Sequence, residues 1–284
     1  MNKGTIKKML VIMLSAMMVF ALAACGGGGE SAEPEEHGGK LAEIQEKGKI
    51  VVCTDAAWAP FEYIGANGEV TGVDIELANY IAEQLGVELE VSNIAFDSIS
   101  TYLANNEADL ALACITITEE RKEQMAFTDP YTTVQQYMVV TADSDIATMN
   151  ALAGKMIGTH LGTTGDFLVS DEVSEGVLKD SGAQNNQYKQ LPDAAEELKS
   201  GTLSAIVCDS VLAENLVTAN GDALKCFPVK YADGTEAEVE QIGAAMAKGD
   251  DEFTAKINEI IKKLVDDGQI EEWFVQHSEA ASKL

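Results

Sequence analysis

Positive charge is scarce in this sequence. Its 284 residues include 19 Lys and Arg against 47 Asp and Glu, which gives a formal net charge of −28 at pH 7. So acidic a chain repels the phosphates of nucleic acids, and we therefore expect neither DNA nor RNA as a partner. The acidity fits a domain held away from an anionic surface. The length suffices for one or two globular domains.

Histidine and cysteine are also few, and neither shows the spacing of a metal site. The three histidines are scattered and the five cysteines form no CxxC pair. Zinc sites need closely spaced ligands of these types, so we predict no metal and no other cofactor. Four cysteines read best as buried free thiols, although an exported protein could pair some of them. They are Cys53, Cys114, Cys208 and Cys226.

Long hydrophobic runs are missing except at the beginning of the chain. Residues 1–24 start with three lysines and continue as an apolar stretch that ends Leu-Ala-Ala before Cys25. The stretch is too short for a transmembrane helix, so we predict a signal peptide over residues 1–24. The ending resembles the lipobox of bacterial lipoproteins, which implies lipidation of Cys25. An ordinary signal peptide with a chance cysteine is the alternative. Acyl chains on Cys25 would anchor the protein to the membrane.

The segment after Cys25 has the composition of a tether. Residues 26–40 read GGGGESAEPEEHGGK and show no apolar periodicity. Gly-rich and charged segments of this kind behave as flexible linkers. We assign residues 25–44 to the lipidated cysteine and its tether, with the folded part following.

Strand and helix patterns alternate after the tether. A parallel sheet covered by helices is the usual result of such an order, so we predict an α/β fold. Asp74 is expected to cap the first helix and Gly86 to end it. The predicted elements are a strand at 50–53, a helix at 73–85, a strand at 87–91, a helix at 98–106 and a strand at 110–115.

A weak internal sequence repeat indicates a second α/β unit like the first. The segments LANNEADLALAC (103–114) and LKSGTLSAIVCD (198–209) align without gaps. Each reads as a helix end, a turn and an apolar strand, with Thr116 and Asp209 as the polar ends. Ligands of open α/β sheets bind beyond the carboxyl ends of strands, so two facing units would form a cleft.

The C-terminal part predicts an amphipathic helix within FTAKINEIIKKLVDDGQIEEWF (253–274). Its apolar positions have helical spacing. They are Ile257, Ile260, Ile261, Leu264 and Val265.

Four motifs in one order resemble the polar amino-acid-binding proteins of ABC importers, the family 3 extracellular solute-binding proteins. The resemblance extends from about residue 45 to residue 275, with Val73 as a mild departure from the first motif. The motifs are GVDIELANYIAEQL (72–85), ITITEERKEQMAFTDPY (115–131), HLGTTGDF (160–167) and VCDS (207–210).

The resemblance implies a two-lobed periplasmic-binding-protein fold of type II. Each lobe would be a mostly parallel sheet flanked by helices, and two hinge strands would join the lobes. Residues 45–134 plus 241–284 would form lobe 1, and residues 135–240 lobe 2. The implied protein is a monomer on the extracytoplasmic face of the membrane. It would capture a free amino acid and deliver it to a permease and its ATPase subunits.

Two charged residues are the candidates for the charged groups that every amino acid carries. A guanidinium matches a carboxylate bidentately, so Arg121 is expected to bind the ligand α-carboxylate. The resemblance places an arginine in this role; a surface arginine among acidic neighbours is the alternative. Asp209 is expected to bind the α-ammonium. Its alternative role is a helix N-cap, and both roles are compatible.

Smaller residues complete the predicted ligand contacts. Thr116 and the backbone around Cys114 are expected to add hydrogen bonds from lobe 1. Thr164 is expected to offer its N–H and hydroxyl from lobe 2, because a Gly-Thr-Thr turn that opens a helix is an anion site. No phosphate-loop pattern accompanies this turn.

Four further residues are expected around the ligand side chain. The resemblance implies that Trp58 and Phe96 are aromatic walls, with core packing as the alternative for Phe96. It also implies that Asp55 and His160 set specificity. A carboxylate at Asp55 disfavours acidic ligands, since two carboxylates would meet in a dry site. Glutamine or a basic amino acid is therefore favoured.

Two other functions compete with amino-acid import. A dehydratase-like enzyme of the same fold would need a catalytic acid in place of the amino-acid clamp, and the presence of both Arg121 and Asp209 argues against it. A ligand-sensing module is the other alternative.

Overall fold

The computed structural model describes residues 39–283. The predicted signal peptide, Cys25 and residues 26–38 of the tether predicted over residues 25–44 lie outside this range. The last part of that predicted tether is instead the start of a helix, Lys40–Lys47, whose Ile44 is fully buried in the core. None of the helices within it combines the length and the apolar character needed to cross a bilayer.

The structure is α/β, as predicted, with two sheet-containing lobes. Most strands are short. The strands in the described range are β1 (Lys49–Thr54), β2 (Ala57–Trp58), β3 (Glu62–Ile64), β4 (Val70–Thr71), β5 (Glu88–Asn93), β6 (Leu110–Ala111), β7 (Ala126–Phe127), β8 (Thr132–Thr141), β9 (Met156–His160), β10 (Gln184–Tyr188), β11 (Ala205–Asp209), β12 (Leu224–Pro228), β13 (Val239–Ile242) and β14 (Ala245–Met246).

Helices separate most of these strands. Short 3-10 turns occur at Phe96–Ser98, Met149–Leu152 and Gly221–Ala223. The α-helices in the described range are α1 (Lys40–Lys47), α2 (Val73–Leu85), α3 (Ile99–Ala104), α4 (Glu119–Gln124), α5 (Thr164–Ser174), α6 (Leu191–Ser200), α7 (Ser210–Asn220), α8 (Asp251–Asp266) and α9 (Gln269–Ala281).

The two larger sheets have the same plan. The first sheet has the order β5-β1-β6-β14-β7, and the second has β10-β9-β11-β8-β12. In each sheet the three strands at one side pair in parallel, and one strand, β14 in the first sheet and β8 in the second, runs against the others. β13 also pairs antiparallel with β8 as a sixth strand of the second sheet, so four of five strands in the first sheet and five of six in the second point the same way. β2, β3 and β4 form a third, antiparallel sheet.

The long strand β8 belongs to both lobes. Its first part, Thr132 to Gln135, pairs with β13, and from Gln136 onward it pairs with β11 and β12. The chain thus passes from the first lobe to the second along β8 and returns along β13. Farther from these strands, the Asn215 amide of α7 donates a hydrogen bond to the Ala59 carbonyl of the first lobe.

The observed elements confirm most of the predicted ones and correct three details. The helix at 73–85 has the predicted bounds, and Gly86 ends it in a left-handed conformation. Asp74 does not cap that helix; the N-cap position is Gly72. The strand predicted at 110–115 is only two residues long, because the chain bends at Cys114. On α8 the predicted apolar positions are buried except Val265, which is 38% exposed.

Gly72 explains how α2 begins without a capping side chain. Its φ is +136°, and a Cβ at this position would lie 2.1 Å from the Phe61 carbonyl oxygen. Only glycine tolerates such an approach. The contact lets the Asp74 N–H bond the same carbonyl, at 2.9 Å, in place of a cap. The Asp74 carboxylate is thereby directed into the protein.

Candidate ligand-binding site

A small enclosed cavity lies between the lobes, at the carboxyl ends of the central strands. The space within it that the centre of a water-sized sphere can reach is about 20 Å³. Seven of the nine residues predicted for the site line this cavity, and Asp55 and His160 lie directly behind its aromatic residues. The lining residues are Trp58, Phe96, Cys114, Thr116, Arg121, Val134, Gln136, Thr163, Thr164 and Asp209.

Arg121 lies on the short helix α4, whose N-cap Thr118 accepts a hydrogen bond from the Arg121 N–H. Its guanidinium donates to the Thr116 carbonyl at 2.9 Å and to the Gly162 carbonyl of the second lobe at 3.1 Å. It also lies 5.4 Å from the centre of the Phe96 ring. Two of its five N–H groups are thus used, and others remain for a carboxylate.

The charge of Arg121 persists despite its enclosed position. Burial lowers the pKa of the guanidinium to about 10, and the carboxylates of Glu240 and Glu120 partly oppose that effect. The group therefore stays positive at neutral pH. A half-buried positive charge benefits from an anionic partner, which a ligand carboxylate would provide.

Asp209 ends β11 and also caps α7. One carboxylate oxygen accepts a hydrogen bond from the Leu212 N–H at 3.0 Å. The residue is only 5% exposed. Burial raises its pKa to about 6, while the Leu212 N–H and the nearby Trp58 indole act in the opposite direction. The N-cap role is therefore present, and the same carboxylate lines the cavity.

Asp74 holds the backbone of Cys114, a residue that lines the cavity, and this role was not predicted. Cys114 adopts a left-handed conformation with φ +47°, which is unusual for a residue other than glycine. Its N–H donates to Asp74 Oδ2 at 2.9 Å, and the Tyr131 hydroxyl donates to Asp74 Oδ1 at 2.8 Å. The buried carboxylate thus holds the bend that brings Cys114 and Thr116 to the cavity.

A second buried acid accompanies Asp74. Burial raises the pKa of Glu62 well above its usual range, and the charge of Asp74 adds to the effect. For Asp74, burial raises the pKa to about 6, while the Cys114 N–H and Tyr131 hydroxyl oppose it. Glu62 is accordingly the protonated member at neutral pH. The Asp of GVD and the Tyr of TDPY are the sequence features that could have revealed this arrangement.

The aromatic residues and His160 pack against one another. The rings of Trp58 and His160 are stacked with centroids 5.1 Å apart, and those of Phe96 and His160 are 6.2 Å apart. The His160 side chain is 3% exposed, and burial lowers its pKa. Neutral imidazole therefore dominates at pH 7, so the ring contributes little positive charge to this end of the site.

Asp55 faces the same region from the end of β1. Its Oδ2 accepts the Phe96 N–H at 3.1 Å and lies 3.7 Å from His160 Nε2, too far for a hydrogen bond. Burial raises the pKa of Asp55 to about 6, with the Phe96 N–H opposing the shift and Asp97 adding to it. Asp55 is therefore mostly ionised at neutral pH. A buried carboxylate without a cationic partner favours a positive or hydrogen-bond-donating ligand group.

Thr164 is at the first position of α5, with Thr163 as the N-cap. Its hydroxyl is occupied: it donates to Glu240 Oε2 at 2.7 Å and accepts from Gln136 Nε2 at 3.1 Å. Of the two groups expected to serve the ligand, the hydroxyl is thus engaged within the protein. The backbone N–H belongs to the first helical turn, where intrahelical partners are absent.

Glu240 and Gln136 are functional candidates that sequence reasoning missed. Glu240 lies on β13 and receives a second hydroxyl bond, from Thr116 Oγ1, at 2.9 Å. Thr116 and Glu240 are 124 residues apart in the chain. No local pattern in the sequence indicates this contact.

The cavity thus combines a fixed guanidinium, a buried carboxylate and aromatic walls in one enclosed space. Groups of opposite charge on its two sides suit a small zwitterion rather than an anion or a cation alone. Fold and site together define a two-lobed binding protein.

Residues 50–278 match the model of the bacterial extracellular solute-binding proteins, family 3. The chain belongs to this family.

Relatives and solved structures agree with this assignment. The arginine-binding extracellular protein ArtP of Bacillus subtilis (strain 168) is 31% identical, over 94% of this chain and 98% of its own. The structure of the substrate-binding protein AbpA from Streptococcus pneumoniae, bound to L-arginine, is 29% identical with a TM-score of 0.75, over 84% and 98% of the two chains. An ancestral arginine-binding protein bound to glutamine is 34% identical with a TM-score of 0.70, over 80% and 98%.

Proposed function

We propose that this protein captures a free amino acid for an ABC importer and that a cationic amino acid, arginine first, is its ligand. The observation that carries the proposal is that Arg121 and Asp209 line one cavity. The guanidinium would bind the α-carboxylate, and the Asp209 carboxylate would bind the α-ammonium. Neither charge would then remain unpaired in the closed protein.

Asp55 supports the choice of a cationic ligand. Its carboxylate is 6% exposed and lies beside the aromatic rings, without a hydrogen-bonded cation among the described residues. A guanidinium stacks on aromatic faces and pairs with a carboxylate, so an arginine side chain satisfies both features. The relatives named for arginine support the same ligand.

Glutamine is the second candidate, and the pKa of Asp55 favours it under one condition. Because that pKa is raised to about 6, mildly acidic solution protonates Asp55. A protonated carboxyl can both donate to an amide oxygen and accept from an amide NH₂. The related structure bound to glutamine agrees with such a ligand.

Transport, and not catalysis, is the function that we infer. The site binds the constant groups of an amino acid and needs no covalent step. A dehydratase-like reaction would need an acid placed at the reacting bond, whereas Asp209 and Asp74 are engaged by backbone N–H groups. We therefore rank an enzyme and a sensor behind an import receptor.

The same proposal includes the parts of the chain outside the cavity. We infer a signal peptide over residues 1–24, lipidation at Cys25 and a tether that keeps the monomeric receptor beside its permease. Lobe 1 would comprise residues 45–134 plus 241–284, and lobe 2 residues 135–240. The change of strand partners along β8 supports the first boundary.

Calorimetry tests the ligand assignment. The purified protein should bind L-arginine more tightly than L-glutamine, and L-glutamate least, at pH 7.5. Arg121→Ala should cost at least ~3 kcal/mol of arginine affinity, since it leaves a carboxylate buried without its partner. Lys122→Ala, which removes an exposed charge one residue away, is the matched control. Equal affinities of Arg121→Ala and wild type would contradict the clamp.

Asp55→Asn tests the specificity assignment in the same assay. The variant should lose arginine affinity and keep glutamine affinity, because the amide has no charge but can still accept and donate hydrogen bonds. Asp143→Asn removes an exposed carboxylate away from the residues that line the cavity and serves as the control. An equal loss for both ligands would show that Asp55 is structural.

A further inference from the structure

Glu240 connects the two lobes through side chains that line the cavity. One of its oxygens, Oε2, accepts hydrogen bonds from Thr116 Oγ1 at 2.9 Å and from Thr164 Oγ1 at 2.7 Å. Its other oxygen, Oε1, accepts from Gln136 Nε2 at 3.2 Å. Thr116 lies in the first lobe, and Thr164 begins a helix of the second. One carboxylate on the returning strand thus bonds both sides of the site.

These bonds fix the direction of each hydroxyl proton. A carboxylate can only accept, and a hydroxyl carries one proton and two lone pairs. The two hydroxyls also lie 3.4 Å from each other, but their contacts with the charged Oε2 are shorter, so both donate to Oε2 and neither has a proton left for the ligand. The Gln136 amide next to Oε1 must also present its N–H group, which fixes its orientation. Its oxygen is buried and has no partner within the described residues.

Thr116 lines the same cavity as Asp209, and its hydroxyl keeps lone pairs after it donates to Glu240. An ammonium group has three N–H donors and no acceptor, so it needs several acceptors around it. A Thr116 hydroxyl whose proton points to Glu240 is such an acceptor. Without Glu240 the hydroxyl could turn its proton toward the ligand and oppose the ammonium.

We propose that Glu240 is a positioning residue that orients the Thr116 hydroxyl as an acceptor for the ligand ammonium, while it joins the lobes through Thr164. This inference rests on the proposed amino-acid-binding function. It explains why a carboxylate lies near a site that must also accept the α-carboxylate of the ligand. Glu240 acts on the ligand through Thr116 and does not bind it.

A double-mutant cycle on L-arginine affinity tests this inference. The proteins are wild type, Glu240→Leu, Thr116→Val and the double variant. Each single variant should lose about tenfold in affinity, the order expected for one hydrogen bond to a charged group. The double variant should be weaker than Thr116→Val by clearly less than tenfold, because Glu240 then has no Thr116 hydroxyl to orient and only its contacts with Thr164 and Gln136 are lost in addition. Losses that multiply would overturn the inference.

Two further variants separate orientation from charge and from general stability. Glu240→Gln keeps an accepting oxygen and should lose less affinity than Glu240→Leu; an equal loss would overturn the inference. Glu238→Leu, which removes an exposed carboxylate two residues earlier, should bind arginine as wild type does. A similar loss in this control would show a general effect of acidic residues, and it would also overturn the inference.

The wild-type titration distinguishes a failure of the proposed amino-acid binding from a failure of the role proposed for Glu240. If wild type binds none of the amino acids, the proposed function fails and the role of Glu240 fails with it. If wild type binds arginine and Glu240→Leu binds it equally well, only the role of Glu240 fails.

Discussion

The two strand ends that form the site begin from similar sequence and reach the cavity by different means. In the second lobe, β11 runs straight to Asp209, which caps the following helix through its own side chain. In the first lobe, β6 stops after two residues, and the chain bends through the left-handed Cys114 before it reaches Thr116. That bend depends on Asp74, 40 residues earlier in the chain.

The difference separates two uses of a buried carboxylate. Asp209 stabilises its helix and lines the cavity, so one residue carries both the fold and the candidate binding role. In the first lobe the roles are divided, since Asp74 holds the backbone and Arg121 provides the charge. In the first lobe, substitution of Asp74 should therefore change stability and substitution of Arg121 should change binding. At Asp209, only a residue that still caps the helix should leave stability unchanged while binding is lost.

The largest effect is expected for Asp209→Asn. Asparagine is as good an N-cap as aspartate, so the thermal stability without ligand should remain close to that of wild type. The ammonium of the ligand would lose its charged partner, which should weaken arginine binding by at least about 3 kcal/mol. Calorimetry and thermal unfolding of the same sample measure the two quantities. A large loss of stability with unchanged affinity would reverse the assignment.

The next largest effect is expected for Asp74→Ala. The change leaves the Cys114 N–H and the Tyr131 hydroxyl without an acceptor in the interior. The free energy of unfolding should fall by about 2 kcal/mol, from denaturant titration, because orphaned buried donors are costly. Tyr131→Phe removes one of these donors together with its need for a partner and should cost less. Equal losses for the two variants would show that the bond to Cys114 is unimportant.

The smallest effect is expected from pH. An arginine side chain would bind the ionised form of Asp55, whose pKa is about 6, so protonation competes with the ligand as the pH falls. The ratio of arginine affinity to glutamine affinity should drop about tenfold between pH 7.5 and pH 5. Any protonation of His160 acts in the same direction. Asp209 also has a pKa of about 6, but it serves both ligands, and its effect cancels in the ratio.

Asp55→Asn is the control for this pH experiment. The variant should show a ratio that changes little with pH. A wild-type ratio that is constant between pH 7.5 and pH 5 would argue that Asp55 does not contact the ligand side chain.

The predictable part of the structure is the part with local periodicity. The helix at 73–85 has an apolar face and a glycine after its last residue, and both ends matched the prediction. The bend at Cys114 was not predictable, because Leu110 to Ile115 is uniformly apolar and reads as one strand. Asp74 was given a cap role because it lies near a helix start, whereas its true partners come from residues 114 and 131.

The site shows the same limit. Side chains that end strands could be identified from pattern and resemblance, and the structure brings Thr116, Arg121 and Asp209 to one cavity. Glu240 escaped notice because β13 is a short strand between exposed and acidic residues. Gln136 lies within the long strand β8, where no local pattern distinguishes it from its neighbours. Their roles follow from hydrogen bonds that connect distant parts of the chain.

The shared strand β8 has a mechanical consequence. Gln135 is the last residue paired with β13, and the next residue, Gln136, lies opposite Asp209 on β11. A bend at this junction would act as a hinge between the lobes, and an atom moves farther in such a bend the greater its distance from the hinge. Asp209 would then move little while the rim, where Asn215 contacts Ala59, travels far. In an open protein the carboxylate that is proposed to bind the ligand α-ammonium would then stay close to its bound position. Closure would mainly move the groups around the ligand side chain, which is the part that differs among amino acids.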